Sequence, residues 1–538
     1  MRSARFVAAT AVAVLSFLGV DGAAGAKGGA RPKIFETDVT HDLALASGEP
    51  EIAVDPTDPR NLAIVEFALG SKKYPADRIN PPMQANGEEA VEAMANDGRV
   101  MLSHDGGDTW HAHPPPAHDP NKAGGGDPMI AYGPDGALYV ADEPFPKQLA
   151  MRGTMDHYRF VIAVSTDGGK TFREPQQVVT PIDRPFLVVD QSTGMVYTAS
   201  TGYFDAQTGA RNQHIPGAIF DRWLVAWQPH LTAHSRPRRM GGPDFSAASG
   251  STMTAANGVI ASVFIIGSPA ADMFGPAVTQ SVPVPPSLRP LVTDGRTSCQ
   301  LQSPCLFFQT SADQGRHWTR HYVPVPGGFS GLFAYVSADP GRPGRYAIGV
   351  LNADATGLRV LLTDDSGATW SKPIAVPGVP GAPSIPGRPL DAKHFQLFSL
   401  INRGSILRPW MAYGPTGVLG FMWRQRRPAL AGSPPQSSTP GASWGAGYDV
   451  YAAISCDGGR RWSPPVKVNS EPSPAGSTAF DDLSYMALDA HYAHVVWGDR
   501  RMMAKVKNAS RLTRGGIQVF YARVPFSVVS KGAACGRP

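Results

Sequence analysis

One eight-residue pattern occurs five times along the chain and restricts its fold more than any other feature. It reads Ser/Thr-x-Asp-x-Gly-x-x-Trp/Phe, and its copies are SHDGGDTW (103–110), STDGGKTF (165–172), SADQGRHW (311–318), TDDSGATW (363–370) and SCDGGRRW (455–462). Asp can accept hydrogen bonds from the backbone of its own turn, Gly adopts positive φ, and the aromatic ring is a large apolar anchor. Neighbouring runs such as RFVIAV alternate as strands do. Each octet therefore predicts a tight β-hairpin, which we call an Asp corner.

We expect a structural role for the aspartate and the aromatic residue of every Asp corner, because turn chemistry already explains them. The predicted structural residues are Asp105, Trp110, Asp167, Phe172, Asp313, Trp318, Asp365, Trp370, Asp457 and Trp462.

A second repeat lies between the Asp corners and consists of a polar residue, a proline, an apolar strand and a turn, followed by another strand. Its clear copies are EPEIAVDP (49–56), DPMIAYGP (127–134), RPFLVVDQ (184–191) and RPWMAYGP (408–415), with looser copies in 251–264, 335–350 and 483–499. The seven units average about 72 residues, a length that fits four strands and their loops. We therefore predict an all-β fold, a β-propeller for which seven blades are favoured and six are the alternative.

The third and seventh units have no Asp corner, and RWLVAWQP (222–229) and IQVFYARVPF (517–526) are their candidate outer strands. The seventh unit ends before a fourth strand, so PKIFETDV (32–39) is the candidate that closes the ring from the N-terminus. Of the three possible cysteine pairings, 299–305 with 456–535 is the most economical.

The first 26 residues are typical of a secretory signal peptide. Arg2 and Arg5 precede an apolar run over 6–20, and Ala24-Gly25-Ala26 resembles a cleavage site. We expect a signal peptide at 1–26, a single propeller domain at 27–538, and secretion to an extracellular or periplasmic location. Four cysteines suit such an oxidising compartment. No later segment is apolar enough over a sufficient length to predict a transmembrane helix in the mature chain.

Composition and motifs argue against several classes of ligand. The net charge is only +5 and the basic residues are scattered, which disfavours nucleic acid as a partner. Glycine clusters such as AGGGDP do not lead from a strand into a helix, and no His/Cys spacing fits a closed zinc site. The sequence predicts no cofactor and no metal.

The functional site of such a ring is expected where inner strands begin and second strands end, because those loops converge on one end of the central channel. The residues that this rule selects at strand starts are Glu49, Asp127, Asp183, Arg184, Arg408, Asp481 and Asp482. At the ends of second strands they are Glu66, Asp142, Glu143, Arg424, Asp499, Arg500 and Arg501. A funnel of arginines and carboxylates suits an acidic sugar, since guanidinium pairs bidentately with a carboxylate.

The five octets look like the Asp-box, or bacterial neuraminidase repeat, and over about residues 32–526 the chain resembles secreted proteins of the sialidase superfamily. That resemblance implies a propeller whose Asp-boxes lie between outer strands, away from the substrate. It also implies exo-α-sialidase chemistry, in which three arginines hold the sialic acid carboxylate, a Tyr activated by a Glu is the nucleophile, and an Asp is the acid. The family usually has six blades and a Phe/Tyr-Arg-Ile-Pro motif before its first Asp-box. Here DRPF (183–186) and LRPW (407–410) are the nearest analogues.

Two functional hypotheses follow from the resemblance and the predicted funnel. In the first, the protein is a secreted glycan-recognising propeller, in its sharpest form a sialidase-type glycoside hydrolase. In its active site, Asp127 or Asp142 would be the acid and Glu49 or Glu66 would assist a nucleophile. The arginines expected to bind an anionic substrate group are Arg184, Arg408, Arg424 and Arg500. In the second, the propeller is a non-catalytic platform for a protein or polysaccharide partner.

Overall fold

The computed structural model describes most of the chain from residue 33 onward. The described residues are 33–70, 72, 98–114, 116, 122–146, 160–178, 186–203, 220–240, 252–267, 281–300, 303–331, 334–382, 404–427, 447–474, 483–506, 517–530 and 535.

Seven four-stranded antiparallel sheets carry the fold, and we number them blades 1 to 7 in the order of their inner strands. The first strand, β1 Phe35–Asp38, belongs to the last blade. Blade 1 contains β2 Ala46–Val54, β3 Leu62–Leu69, β4 Arg99–Ser103 and β5 His111–His113. Blade 2 contains β6 Lys122–Tyr132, β7 Leu138–Pro146, β8 Phe160–Ser165 and β9 Gln176–Val178. Blade 3 contains β10 Phe186–Val189, β11 Val196–Tyr203, β12 Phe220–Trp227 and β13 Arg238–Arg239.

The remaining blades follow the same order. Blade 4 contains β14 Met253–Ala256, β15 Val259–Ile266, β18 Cys305–Ser311 and β19 Thr319–Val323, with the hairpin β16 Val282–Pro283 and β17 Ser298–Cys299 inserted between its second and third strands. Blade 5 contains β20 Ala334–Ala338, β21 Tyr346–Leu351, β22 Leu358–Thr363 and β23 Ile374–Val376. Blade 6 contains β24 Ile406–Tyr413, β25 Leu419–Arg426, β26 Tyr448–Ser455 and β27 Val466–Lys467. Blade 7 contains β28 Ser484–Leu488, β29 Tyr492–Asp499, β30 Gln518–Pro525 and β1.

The described helices are short. They are the 3₁₀ helices Pro229–Leu231, Arg289–Leu291 and Arg501–Lys505, and α1 Phe526–Val529. None of the helices in the described ranges is long and apolar enough to cross a bilayer. The prediction of an all-β propeller is confirmed, and the count of seven blades replaces the alternative of six.

The ring closes as the sequence predicts, through a strand from the N-terminus. Strand β1 pairs with β30 in antiparallel register, from Phe35 opposite Arg523 to Asp38 opposite Phe520. A disulfide between Cys456 and Cys535 joins the Asp corner of blade 6 to the C-terminal tail, and a second joins Cys299 to Cys305 in the insertion of blade 4. Both predicted cysteine pairings are confirmed.

The apolar core lies between blades rather than within one sheet. Ala53, Val65 and Leu102 of blade 1 pack against Ile130 and Val140 of blade 2, and comparable clusters lie between the other neighbouring blades. Successive side chains of a strand point to opposite faces of the sheet. A run of apolar residues in one strand therefore contributes to the core on both sides of its blade.

Each Asp corner connects the third and fourth strands of its blade, and its polar side chains hydrogen-bond within the turn. In blade 5, the Thr363 hydroxyl donates to Asp365 Oδ1 at 2.7 Å and accepts from the Gly367 N–H at 2.9 Å. The Thr369 hydroxyl donates to Asp365 Oδ2 at 2.6 Å, and the Thr369 N–H donates to Oδ1 at 2.8 Å. The hydroxyl and then the N–H of Thr369, with the Thr363 hydroxyl, lower the pKa of Asp365 to about 2.

The last glycine of each octet also lies against the preceding blade. A Cβ on Gly367 would lie 2.5 Å from Phe308 Cδ1 in the third strand of blade 4, and a Cβ on Gly169 would lie 2.6 Å from Leu102 Cδ1. The same relation joins Gly107 to Tyr521, Gly315 to Leu224 and Gly459 to Leu362. All five glycines have positive φ, between +80° and +104°. An Asp corner is therefore a contact between blades as well as a hairpin.

Blades 3 and 7 achieve the same contact with other elements. Leu231, in the 3₁₀ helix of blade 3, packs with Ile162 and Val164 of the third strand of blade 2. Helix α1 follows the third strand of blade 7, and its Phe526 and Val529 pack in a cluster with β26 of blade 6. Each blade thus covers the third strand of the blade before it.

We expect Gly367→Ala to destabilise the protein more than Gly258→Ala. Both glycines have positive φ, +96° and +78°, so both substitutions carry a left-handed penalty of about 1 kcal/mol. At Gly367 the contact with Phe308 should add roughly 1–3 kcal/mol of overpacking. At Gly258 a Cβ would meet no atom within 4 Å beyond its chain neighbours. Urea unfolding of the two variants measures the difference, and equal losses would refute a dependence of the Asp corner on the contact between blades.

Candidate functional site

Three inner strands begin with the same irregularity, a charged residue at positive φ followed by proline. Glu49, Asp127 and Arg408 have φ of 47°, 47° and 48° and precede Pro50, Pro128 and Pro409. At each place the register with the second strand shifts, between Gly48 and Glu51, Gly126 and Met129, and Leu407 and Trp410. We call the end of the ring where these residues lie the funnel face.

This backbone conformation is costly, and the cost indicates a constraint beyond ordinary strand geometry. A residue other than glycine held at positive φ costs about 1–3 kcal/mol and is found most often at binding and catalytic sites. Glu49 and Arg408 are 5% and 2% exposed, while Asp127 is half-buried. Arg184, the matching residue before a proline in blade 3, and Asp183, Asp481 and Asp482 lie outside the described residues.

Blades 6 and 7 contribute buried arginines at the funnel face. Arg424, at the end of β25, donates from Nε to Ser484 Oγ at 2.8 Å and from Nη2 to the Leu483 carbonyl at 2.8 Å. Its guanidinium lies 4.9 Å from the centre of the Tyr448 ring. These contacts fix the Arg424 head group between blades 6 and 7. Two residues further along, burial lowers the pKa of Arg426 to about 10.

Arg500 follows β29 and is almost completely buried. Its N–H donates to Ser473 Oγ at 3.0 Å, and its Nη2 lies 3.4 Å from Met503 Sδ. The neighbouring Arg501 and Asp499 form an ion pair at 2.9 Å, and Arg501 also contacts Glu36 of β1 at 2.8 Å. Arg501 and Asp499 therefore belong to the ring closure.

Blades 1 and 2 contribute carboxylates to the funnel face. Glu66 accepts from Arg99 Nε at 2.7 Å and from the Thr40 hydroxyl at 2.7 Å, and Arg99 Nη2 also contacts it. Asp142, which occupies the equivalent position in blade 2, is buried and reaches across to blade 1. The Asp142 carboxylate lies close against Gly98 of blade 1, because a Cβ added to Gly98 would be 2.6 Å from Asp142 Oδ2. The side chain of Glu143 lies outside the described residues.

The centre of the ring is filled by aromatic side chains from three inner strands. Trp410 lies 3.9 Å from Tyr485 and 5.4 Å from Tyr335, measured between ring centres. The Tyr485 hydroxyl is 4.0 Å from Met129 Sδ. Tyr485 of blade 7 therefore contacts the inner strand of blade 2, which is not its neighbour in the ring. Tyr485 is buried and Trp410 is half-buried. We call these three rings the aromatic layer.

Glu51 is a buried carboxyl that the sequence rules did not select. It lies in β2, two residues after Glu49, and its Oε2 accepts the N–H of Ile130 in the inner strand of blade 2 at 2.8 Å. Burial raises the pKa of Glu51 well above its usual range, an effect that the hydrogen bond from Ile130 opposes. A carboxyl with a perturbed pKa on the wall of a channel is a candidate functional group.

Blades 1 and 7 each carry a pair of opposite charges, Glu66 with Arg99 and Asp499 with Arg501, and the signs separate only outside these pairs. Arg408, Arg424 and Arg500 come from blades 6 and 7, whereas Glu49, Glu51, Asp127 and Asp142 come from blades 1 and 2. Among the described residues no three His, Cys, Asp or Glu side chains are grouped as metal ligands would be. The three arginines are at most 2% exposed, and Arg424 is held by hydrogen bonds to Ser484 and Leu483.

The fold and this funnel define a seven-bladed β-propeller with a charged central site. No protein-family model matches the chain, and no curated protein does. Among solved structures it is similar to the Hadza microbial sialidase Hz136, at 11% identity over 80% of this chain and 73% of that one, with a TM-score of 0.40. It is also similar to a protein of unknown function from Dyadobacter fermentans DSM 18053, at 13% identity over 92% and 99% of the two chains, with a TM-score of 0.43.

A third similar structure is Trypanosoma rangeli sialidase in complex with sialic acid, at 11% identity and a TM-score of 0.38, with 79% of this chain and 56% of that chain covered. All these TM-scores are below 0.5. The likeness therefore gives no basis for assigning a substrate, and the chemistry has to be argued from the site itself.

We expect Glu51→Gln to stabilise the protein increasingly as pH rises. Because the folded-state pKa is raised, the unfolded chain loses its proton first, and wild-type stability falls as pH climbs above about 4.5 toward the folded pKa. Gln keeps the acceptor for Ile130 and removes the titration. Thermal unfolding across pH 4 to 9 (about the range in which a raised carboxyl titrates) should show a growing advantage for the variant.

Glu66→Gln is the matched control for replacing a buried carboxyl by an amide. Glu66 lies in the same blade as Glu51 but has an ion-pair partner, Arg99. Breaking a buried pair leaves Arg99 uncompensated and should cost about 3–5 kcal/mol. A constant difference between Glu51→Gln and wild type at every pH would contradict a raised pKa for Glu51.

Proposed function

We propose that the protein binds glycans that carry an acidic sugar, in the funnel formed by blades 6, 7, 1 and 2. The observation that carries this proposal is Arg408, a buried arginine held at positive φ before Pro409, at the same end of the ring as Glu49 and Asp127. A guanidinium matches the two oxygens of a carboxylate, and the pairing is strongest where water is excluded.

The polarity of the funnel supports an ordered orientation for such a sugar. Its carboxylate would face the wall of blades 6 and 7, where Arg408 lies, and its glycosidic oxygen would face the carboxyl groups of blades 1 and 2. Trp410, half-buried in the aromatic layer, offers an apolar face against which a sugar ring can rest.

The sharper form of the proposal is an exo-α-sialidase-type hydrolase. Asp127 suits the role of acid better than Asp142, because Asp127 is half-buried whereas Asp142 is 2% exposed. Glu49, at the strained position before Pro50, is the candidate to assist a nucleophile, whereas Glu66 pairs with Arg99 and Thr40. The assignment of these roles rests on the resemblance of the chain to the sialidase superfamily.

A non-catalytic platform is the alternative, and specific contacts favour it. Tyr485, a nucleophile candidate by location, is buried between Trp410 and Met129, and the Glu66 carboxylate is paired. Both groups are occupied in structural contacts. A binding site needs neither of them.

We further propose that residues 1–26 are removed on export and that residues 27–538 act outside the cell or in the periplasm. The two disulfides are consistent with an oxidising compartment.

Calorimetric titration with sialyllactose and with lactose tests the binding proposal. We expect the wild type to bind sialyllactose and not lactose, and Arg408→Gln to weaken binding about tenfold or more through loss of the charged pair. Arg345→Gln is the matched control, since Arg345 is also buried but pairs with Asp339 and Asp364 near the Asp corners, at the opposite end of the ring. Equal affinity for the two sugars, or no binding by folded wild type, would overturn the proposal.

Release of a fluorophore from an α-sialoside separates the hydrolase from the platform. Turnover that Asp127→Asn abolishes, with sialyllactose binding retained, would establish the hydrolase. Binding without turnover by the wild type would leave the platform.

A further inference from the structure

A group of basic side chains lies on the outer edge of the ring where blades 3 and 4 meet, away from the funnel. We call this surface the blade 3–4 patch, and its members are Arg236, Arg238, Arg239, Arg316 and Arg320. Arg236 and Arg316 are exposed, and the other three are half-buried. The patch is formed by the outer strands β13 and β19 and by the Asp corner between β18 and β19.

Specific contacts hold these arginines side by side. Arg238 Nη1 donates to the Gln314 carbonyl at 2.8 Å, which joins blade 3 to the Asp corner that contains Arg316. Arg320 Nη2 approaches the carbonyl of Met240, directly after β13, at 3.5 Å. The Arg239 guanidinium lies 5.5 Å from the centre of the Trp223 ring. The patch is therefore continuous across the boundary between the two blades.

Positive charge is in clear excess at this surface. The described residues 223–240 and 305–323 contain these five arginines and one carboxylate, Asp313, which is engaged with the N–H and ring of His317. Within the described part of the chain, Arg236, Arg238 and Arg316 form no ion pair, in contrast with Arg60, Arg460 and Arg461, which each contact an aspartate. Adjacent like charges without counter-charges raise the free energy of the free protein and favour an anionic partner.

We propose that the blade 3–4 patch binds an acidic polysaccharide, a polymer whose carboxylate groups engage several guanidinium groups at once. The proposal is independent of the function proposed for the funnel. A polysaccharide fits better than nucleic acid for two reasons. The two disulfides are consistent with an oxidising compartment outside the cytosol, where nucleic acid is not the expected polyanion. In addition, the Trp223 ring already carries Arg239, so it is not available as a stacking surface for a base.

The test is binding of the full chain to immobilised polygalacturonate at low and at high salt. The variant is the triple charge reversal Arg236→Glu, Arg238→Glu and Arg316→Glu. We expect wild-type binding that weakens as salt shortens the range of the electrostatic attraction, and a loss of about tenfold or more in the triple variant. Neutral dextran should not bind, and circular dichroism and the Tm should show that the variant folds.

The matched control reverses the same number of charges at exposed lysines elsewhere, Lys33→Glu, Lys170→Glu and Lys372→Glu. This control should keep wild-type affinity within about twofold. An equal loss in the control would overturn the patch in favour of net charge, and tighter binding of a single-stranded DNA oligonucleotide than of polygalacturonate would overturn the polysaccharide. Loss of binding in Arg408→Gln but not in the patch variant would place the polymer in the funnel and overturn this proposal while leaving the funnel intact.

Discussion

The pairing of β1 with β30 is the interaction on which the rest of the structure depends, because it converts seven sheets into a closed ring. Without it the last blade would have three strands and an open edge, and the inner strands would not be held around one axis. Closure joins residues almost 500 positions apart in sequence, from Phe35 to Arg523. The chain entropy lost in closing so long a loop has to be offset by local contacts.

Polar contacts at the closure supply that compensation. The Thr40 hydroxyl accepts the Val519 N–H at 2.8 Å and donates to Glu66, which in turn pairs with Arg99. On the other side of β30, Arg523 donates to the Gly106 carbonyl at 2.6 Å, inside the Asp corner of blade 1. Glu66 is thus explained by the closure of the ring, and its burial does not need a catalytic role.

A chain of buried side chains extends this closure. His494 Nδ1 lies 2.8 Å from the Tyr521 hydroxyl, and its Nε2 lies 3.1 Å from Asp489 Oδ2. The Tyr521 ring in turn fills the space beside Gly107 that a Cβ would need. The three side chains satisfy one another's polar atoms in a dry environment, which is the condition under which buried polar groups stabilise rather than destabilise a fold.

The sequence predicted the fold well, because every blade repeats a local pattern that can be recognised without knowledge of its neighbours. It predicted the site only in part, because partners in the site come from different blades. Glu66 and Arg99 are separated by 33 residues and Glu51 and Ile130 by 79, so neither contact has a local signature. The polar residue before proline was visible in the sequence, but its positive φ was not, since proline normally favours an extended residue before it.

The strained bulges connect the architecture to the proposed site. On either side of the Glu49 bulge the ladder between β2 and β3 is regular, with Gly48 opposite Phe67 and Glu51 opposite Val65. The Arg408 bulge is flanked in the same way by Leu407 and Trp410. Regular pairing on both sides restricts the backbone of the intervening residue. The strand hydrogen bonds therefore offset the free-energy cost of the positive φ when the protein folds. A backbone held in this manner does not have to be ordered when a ligand arrives, and less of the interaction energy is lost on binding. The closed ring therefore does more than bury apolar strands: it holds the backbones of Glu49, Asp127 and Arg408 in the same strained conformation at the funnel face.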